Sequence, residues 1–181
     1  ADVTFFIGEN GSGKSTLLEA MAIAYGFNPE GGTKSAQFEV HNTHSELHKE
    51  IKLSKSFKMP GDAYFLRAES FYNVATKAEE FGVLKSYGGK SLHAQSHGEA
   101  FLATLMHKLT GNGLYLLDEP EAALSPARQL TALSLIHQLV QQDSQFIIAT
   151  HSPIIMAYPN AAIYEFSKDG IRQIDYKETD H

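Results

Sequence analysis

Residues 8–15 read Gly8-Glu9-Asn10-Gly11-Ser12-Gly13-Lys14-Ser15, followed by Thr16, and satisfy the pattern G-x-x-x-x-G-K-[ST] in full. This arrangement suits the cradling of a polyphosphate. Gly8, Gly11 and Gly13 can take backbone conformations that turn successive N–H groups inward toward phosphate oxygens. Lys14 carries a compact positive charge to β- and γ-phosphates, and the Ser15 hydroxyl is a Mg²⁺ ligand. The expected ligand is a nucleoside triphosphate with its Mg²⁺.

Such a cradle needs a carboxylate for the metal and a group that handles water. Leu114-Tyr115-Leu116-Leu117-Asp118-Glu119 offers both at the end of an apolar run. Asp118 is placed to hold Mg²⁺ through its shell. Glu119, one residue on, points elsewhere and can act as general base. Alone, the two carboxylates would read equally well as a solvated strand end; beside a complete phosphate loop the catalytic reading prevails.

A third group is Gln95-Ser96-His97-Gly98-Glu99. Ser96 and Glu99 form an S-x-x-E capping box, and Gly98 permits close backbone approach. The result is a second helix N-terminus suited to an anion. One γ-phosphate cannot easily occupy two such sites in a small domain, which suggests a dimer with each copy closing the other's site. On these five residues alone, an ordinary helix cap is the better explanation.

The elements that must position these groups follow from periodicity. Val3–Ile7 is an apolar, β-prone run ending at Gly8, and Ser15–Tyr25 is helical, stopped by Gly26. The phosphate loop thus opens a helix whose partial positive end attracts anions. Asn28 to Gly32 is a turn cluster. Between 51 and 59 the parity of Ile51, Leu53, Phe57 and Met59 against Lys52, Ser54, Ser56 and Lys58 favours a half-exposed strand, with a helix as the alternative. Ala63–Leu66 reads as a buried strand and Ser70–Phe81 as a helix, followed by a loop at Tyr87-Gly88-Gly89. Glu99–Leu109 is helical, and Gly111-Asn112-Gly113 turns into the buried strand Leu114–Leu117. Pro126–Gln142 is an amphipathic helix with Leu130, Leu133, Ile136, Leu139 and Val140 on its apolar side. Phe146–Ala149 is a further buried strand, and Ser152-Pro153 caps a short helix. Ala161–Phe166 and Ile171–Tyr176, joined by Ser167-Lys168-Asp169-Gly170, form a hairpin. Short apolar strands in strand-loop-helix units indicate an α/β fold, a mostly parallel sheet covered by helices on both faces.

With 181 residues and 43% hydrophobic content, the chain is ample for one packed domain. Its net charge of −6 argues against a general nucleic-acid coat. The lack of Cys excludes disulfides and thiolate metal sites. No apolar stretch is long enough to span a bilayer and no signal peptide is visible, so a cytoplasmic location is expected, where ATP and Mg²⁺ are available. His41, His44 and His48, and His93 with His97, have helix-compatible spacings, yet no carboxylate frame accompanies them, and solvent-facing histidines explain them better than a metal site. The lysines between 49 and 58 could touch nucleic-acid phosphates, but blunting an edge strand is the simpler role. Phe71, Tyr72 and Tyr87 read as packing residues.

Taken together and in this order, the motifs resemble those of the ATP-binding-cassette (ABC) ATPases, over most of the chain. Gly8–Ser15 matches the phosphate loop, Ser96-His97-Gly98-Glu99 resembles the signature motif with His97 where glycine is usual, and Leu114–Glu119 matches the metal-and-base strand. Ala123-Leu124-Ser125 resembles the dimer-contact loop, and His151 the switch histidine that contacts γ-phosphate. Asp118-Glu119-Pro120-Glu121 is more similar to soluble members of the RecF and chromosome-maintenance type and to small stand-alone bacterial ATPases. The resemblance implies a P-loop NTPase fold with a helical signature lobe at about residues 68–110 and a C-terminal β-hairpin, in one domain spanning 1–181. It implies ATP with Mg²⁺, a head-to-tail homodimer, and Ser96 and Gly98 completing the partner copy's site; nucleic acid or a partner protein stays open. No clear Gln occupies the γ-phosphate-sensing loop; Arg67-Ala68-Glu69-Ser70 takes its place with Glu69 as polar contact, and Gln37 falls too early. The adenine-stacking aromatic and the outer strands would lie upstream of Val3, so the chain reads as a fragment. A small-molecule kinase on the same loop is the enzyme alternative, although such enzymes usually carry lid arginines and only Arg67, Arg128 and Arg172 occur here. A dimerisation module with negligible hydrolysis is the other.

Overall fold

The computed structural model describes residues 1–33, 45–55, 57, 59–82 and 84–179. Its strands are β1 (Val3–Gly8), β2 (Gly32–Thr33), β3 (Asp62–Arg67), β4 (Gly113–Asp118), β5 (Gln145–Ala149), β6 (Ala162–Ser167) and β7 (Gly170–Ile174). They form one sheet in the order β2-β3-β4-β5-β1-β6-β7. The five central strands run parallel, and β2 and β7 close the edges antiparallel. The helices are α1 (Lys14–Tyr25), α2 (Phe71–Glu80), α3 (His97–Ala103), α4 (Pro126–Val140) and α5 (Pro153–Met156). This is the α/β arrangement that the strand-helix alternation requires, since both faces of a parallel sheet must be covered.

The period-2 geometry of the strands divides the core in two. Phe6, Phe65, Leu116 and Ala149 face Leu18 and Ala22 of α1. Val3, Phe5, Ile7, Tyr64, Leu66, Tyr115, Leu117, Phe146 and Ile148 face the other helices, including Phe71, Phe101, Ile136 and Ile155. Each fully buried Phe or Leu stabilises the fold by about 1.5–3 kcal/mol. Because the central strands are parallel and in register, their C-terminal ends align. Arg67 sits opposite Asp118, and Asp118 opposite Ala149. That shared edge is where ligands gather in open α/β sheets.

Several expectations need correction. No strand forms over 51–55: the sheet edge beside β3 is taken by Gly32–Thr33, Phe57 is fully exposed, and Lys55 Nζ lies 4.8 Å over the Tyr25 ring. Lys49, Lys52 and Lys55 therefore do not line an edge strand; Lys49 pairs instead with Glu46. His41, His44, Gln37, Ser56 and Lys58 lie outside the described residues. Leu130 is 58% exposed, while Gln129 and Ala132 are buried, because Gln129 has hydrogen-bond partners inside. The helix expected from Glu99 begins at His97 and widens into a π turn over Thr104–Lys108. Phe71 and Tyr87 are buried as packing residues, but Tyr72 is exposed, its ring centroid 4.4 Å from that of His93 and 6.5 Å from that of His97.

Candidate functional site

The phosphate loop leaves β1 at Gly8 and enters α1 at Lys14. Gly8 takes φ +137°, and a Cβ there would meet the Phe166 carbonyl oxygen at 2.3 Å, so the loop can pass beside β6 only with glycine. Lys14 is buried, and its Nζ donates to the carbonyls of Gly8 (2.9 Å) and Glu9 (2.8 Å). Burial pushes its pKa down, opposed by the carboxylates of Glu119, Asp118 and Glu121. Ser12 N donates to Glu9 O, giving the loop an internal turn. Glu9, Asn10, Gly11, Ser12 and Gly8 form one wall of a cleft of about 880 Å³. Thr150, His151 and Met156 also line that cleft, and residues 165–169 of β6 and its turn complete it.

Asp118 ends β4 with its side chain buried, and burial raises its pKa against the pull of the Ser15 hydroxyl and the Arg67 guanidinium. Its Oδ1 has no hydrogen-bond partner among the described residues. A buried carboxylate oxygen without a donor, close to a serine hydroxyl, is the donor set a hard cation needs, so the residues fit Mg²⁺. The next residue turns the chain sharply: Glu119 adopts φ 49°, ψ 53°, a left-handed conformation that is strained for a non-glycine residue. This twist carries the Glu119 carboxylate away from Asp118 and out to partial exposure. Its Oε1 lies 3.3 Å from His151 Nε2, an ion-pair distance without the alignment of a hydrogen bond. The Glu119 N–H donates to Ala149 O at 2.9 Å, so the twist is anchored on β5.

A second cavity, about 440 Å³, opens on the metal side and is lined by Ser15, Arg67, Glu69, Asp118, Glu119 and Ala123 among others. Glu69 does reach this cavity, largely exposed. Arg67 makes the closer approach: its Nε is 3.3 Å from Asp118 Oδ2, and its Nη1 bonds Glu19 at 2.6 Å and Pro29 O at 3.1 Å. His97, the first residue of α3, lines this cavity too, beside Ser15 and Asp118 of its own chain.

Ser96 and Gly98 are not brought to Lys14. Ser96 Oγ accepts from Glu99 N, Glu99 returns the bond to Ser96 N, and the capping box is complete. Arg128 of α4 bonds both Ser96 Oγ and Glu99 Oε1 at 3.1 Å. The close approach at Gly98 is to its own chain: a Cβ would meet Arg128 Nη1 at 2.7 Å and Ala123 O at 2.8 Å. Among the described residues no group of three or more His, Asp or Glu is arranged to hold a metal.

Comparison with known proteins now decides the family. Residues 1–92 match the AAA domain model, and residues 94–157 match a second AAA-domain model of the kind found in type IV toxin–antitoxin systems. The chain belongs to the AAA-domain family, and the relatives it matches are ABC-type ATP-binding proteins. It is 27% identical over 173 residues to an ABC transporter ATP-binding/permease protein of Mycobacterium tuberculosis, covering 83% of this chain and 19% of that protein. It is 24% identical over 167 residues to the hemin import ATP-binding protein HmuV of Aliivibrio fischeri, covering 83% and 64%. The chain thus spans less than two thirds of the length of either relative. The SMC head domain of Thermotoga maritima superposes with a TM-score of 0.51 at 16% identity, over 97% of this chain and 91% of that one. An inward-facing metal-chelate type ABC transporter superposes with a TM-score of 0.53 at 21% identity, over 99% and 75%. At these identities the likeness is one of fold. Membership of this class supports nucleotide binding and hydrolysis in general. Among the described residues no helix is long and apolar enough to cross a membrane.

Three residues have contacts at or beside this site that their motifs do not specify. Arg67 stands in the segment Arg67–Ser70, where Glu69 is the expected contact, and its own role could have been found from the register of β3 against β4. Glu121 and Arg128 act on partners about thirty positions away, and no local spacing marks them.

Proposed function

We propose that this ABC-type ATPase hydrolyses Mg-ATP and uses the reaction as a dimerisation switch. Lys14, Ser15, Thr16 and the amides of Gly8–Gly13 hold the phosphates; Ser15 and Asp118 hold Mg²⁺, which when bound offsets the charge that develops on the phosphate oxygens. Glu119 takes the proton of the attacking water as the γ-phosphoryl group leaves ADP, and His151 steadies both base and phosphate. The observation that carries this reading is the strained Glu119, whose carboxylate meets His151 Nε2 at 3.3 Å beside a buried, partly unpartnered Asp118. In the head-to-tail homodimer, Ser96 and Gly98 of one copy close the nucleotide site of the other. Two phosphate clamps hold ATP more tightly than ADP, so hydrolysis opens the pair. The domain spans 1–181 with its signature lobe at about 68–110, and a cytoplasmic location suits its substrate.

Glu119→Gln tests the core of the reading. The amide is nearly isosteric and cannot accept the proton, so turnover falls by roughly 10²–10⁴ while Mg-ATP binding persists. Steady-state phosphate release checks turnover, and light scattering with ATP checks for a trapped dimer. Unaltered release would move the base elsewhere. Lost turnover in a chain that stays monomeric with ATP would favour phosphoryl transfer to a small acceptor.

A further inference from the structure

Glu121 lies two residues beyond Glu119, in the helical turn Pro120–Ala122. Its carboxylate accepts from Thr150 Oγ1 at 2.8 Å through Oε2, and from the His151 N–H through Oε1. Both carboxylate oxygens therefore engage the two residues that follow β5. Thr150 is fully buried, and its single hydroxyl proton is committed to Glu121, while its oxygen accepts from Ser152 N at 3.0 Å. Ser152 Oγ in turn donates to Gln129 Oε1, and Gln129 Nε2 donates to Leu124 O at 3.0 Å. A closed ring of hydrogen bonds thus runs from the segment after β4, across the segment after β5, through α4, and back.

We propose that Glu121 is a positioning residue for hydrolysis, acting through Thr150 and the His151 backbone to set His151 against Glu119. The inference rests on the catalytic reading of Glu119 and His151 given above. Glu119 and His151 stand on different strand ends, and their side chains meet only if those ends are held at a fixed offset. The clip must be a carboxylate, because both of its partners are donors. A glutamine offers one acceptor and turns its own NH₂ toward the remaining donor. The same carboxylate also acts on the charge of Lys14. A purely electrostatic role would therefore appear in nucleotide affinity, whereas misplacement of His151 appears in turnover.

The test is a double-mutant cycle in the whole chain, combining Glu121→Gln and Glu121→Ala with His151→Ala. Turnover and KM for Mg-ATP are read together with the affinity for a non-hydrolysable ATP analogue and with a thermal melt. Glu121→Gln alone is expected to lower kcat about 10–10²-fold, the effect of a displacement on the order of an ångström, with KM and analogue affinity essentially unchanged. In the His151→Ala background the same change should lower kcat by no more than about twofold. Effects that multiply independently, or an affinity loss equal to the loss in kcat, would overturn the inference while leaving the catalytic reading intact. Normal turnover in His151→Ala would overturn both. Should Glu121→Ala fail to fold, the isosteric Glu121→Gln carries the cycle.

Discussion

Two helix N-termini face chemistry in this molecule, and they are finished in opposite ways. At α1 the residue before the helix is Gly13 in a left-handed conformation, no side chain among the described residues caps it, and no acidic residue sits in its first turn. At α3 the capping box of Ser96 and Glu99 is complete, and Arg128 braces it from α4. Hydrogen bonds from the Ser96 N–H and hydroxyl hold the Glu99 carboxylate below its usual pKa range, so α3 already carries its own anion. The first terminus leaves its end without a side-chain partner, as the proposed phosphate site requires. The second is complete within its own chain, so in the proposed dimer a partner's phosphate would share it with Glu99 and the Arg128 cation. On that proposal, binding at α1 belongs to one copy, whereas the part of Ser96 and Gly98 is conditional on assembly.

The largest effect is expected at α1. Lys14→Ala removes the side-chain cation of the loop and the brace that Lys14 Nζ makes to Gly8 and Glu9 carbonyls. Calorimetric titration should show Mg-ATP binding lost, and an unchanged affinity would refute the site. The effect at α3 should be selective. Ser96→Arg breaks the cap and sets a second guanidinium beside Arg128. In the Glu119→Gln background, light scattering with ATP should then report a monomer where Ser96 gives a dimer, with Mg-ATP affinity of the single copy retained. A monomer in both proteins would remove the dimer from the reading.

The same contrast explains what was legible in the sequence. The phosphate loop is contiguous, so its residue types and spacing carry the whole of its geometry, and the buried strands β1, β4 and β5 are short apolar runs with clear stops. Parity misled at 51–55, where lysine and serine alternate with apolar residues, because alternation cannot tell that Gly32–Thr33 already fills the sheet edge. Hydropathy misled at α4: Leu130 looked internal, but the buried hydrogen bonds of Gln129 to Leu124 and Ser152 turn that face inward instead. The individual contacts of Arg67, Glu121 and Arg128 were not legible, even though Arg67 and Glu121 stand inside recognised motifs, because a side chain's distant partner leaves no trace in local spacing. Asp118 and Glu119 were visible as a pair, yet the backbone twist that separates their roles is set by tertiary anchors on Ala149 O.

The smallest expected effect isolates the cap itself. Ser96→Ala deletes the hydroxyl that accepts from Glu99 N and from Arg128, at 3.3 and 3.1 Å, and leaves the Arg128–Glu99 pair in place. Loss of an N-cap costs about 1 kcal/mol, which in a domain of this size lowers the melting temperature by about 2–4 °C. Calorimetric melting checks that shift, and the Mg-ATP affinity of the single copy should stay unchanged, since Ser96 touches no part of its own phosphate loop. No shift in melting would mean that Arg128 alone holds α3. A fall in single-copy affinity would break the comparison outright. It would mean that α3 contributes to the nucleotide site of its own chain, by way of His97, which already lines the cavity beside Ser15 and Asp118.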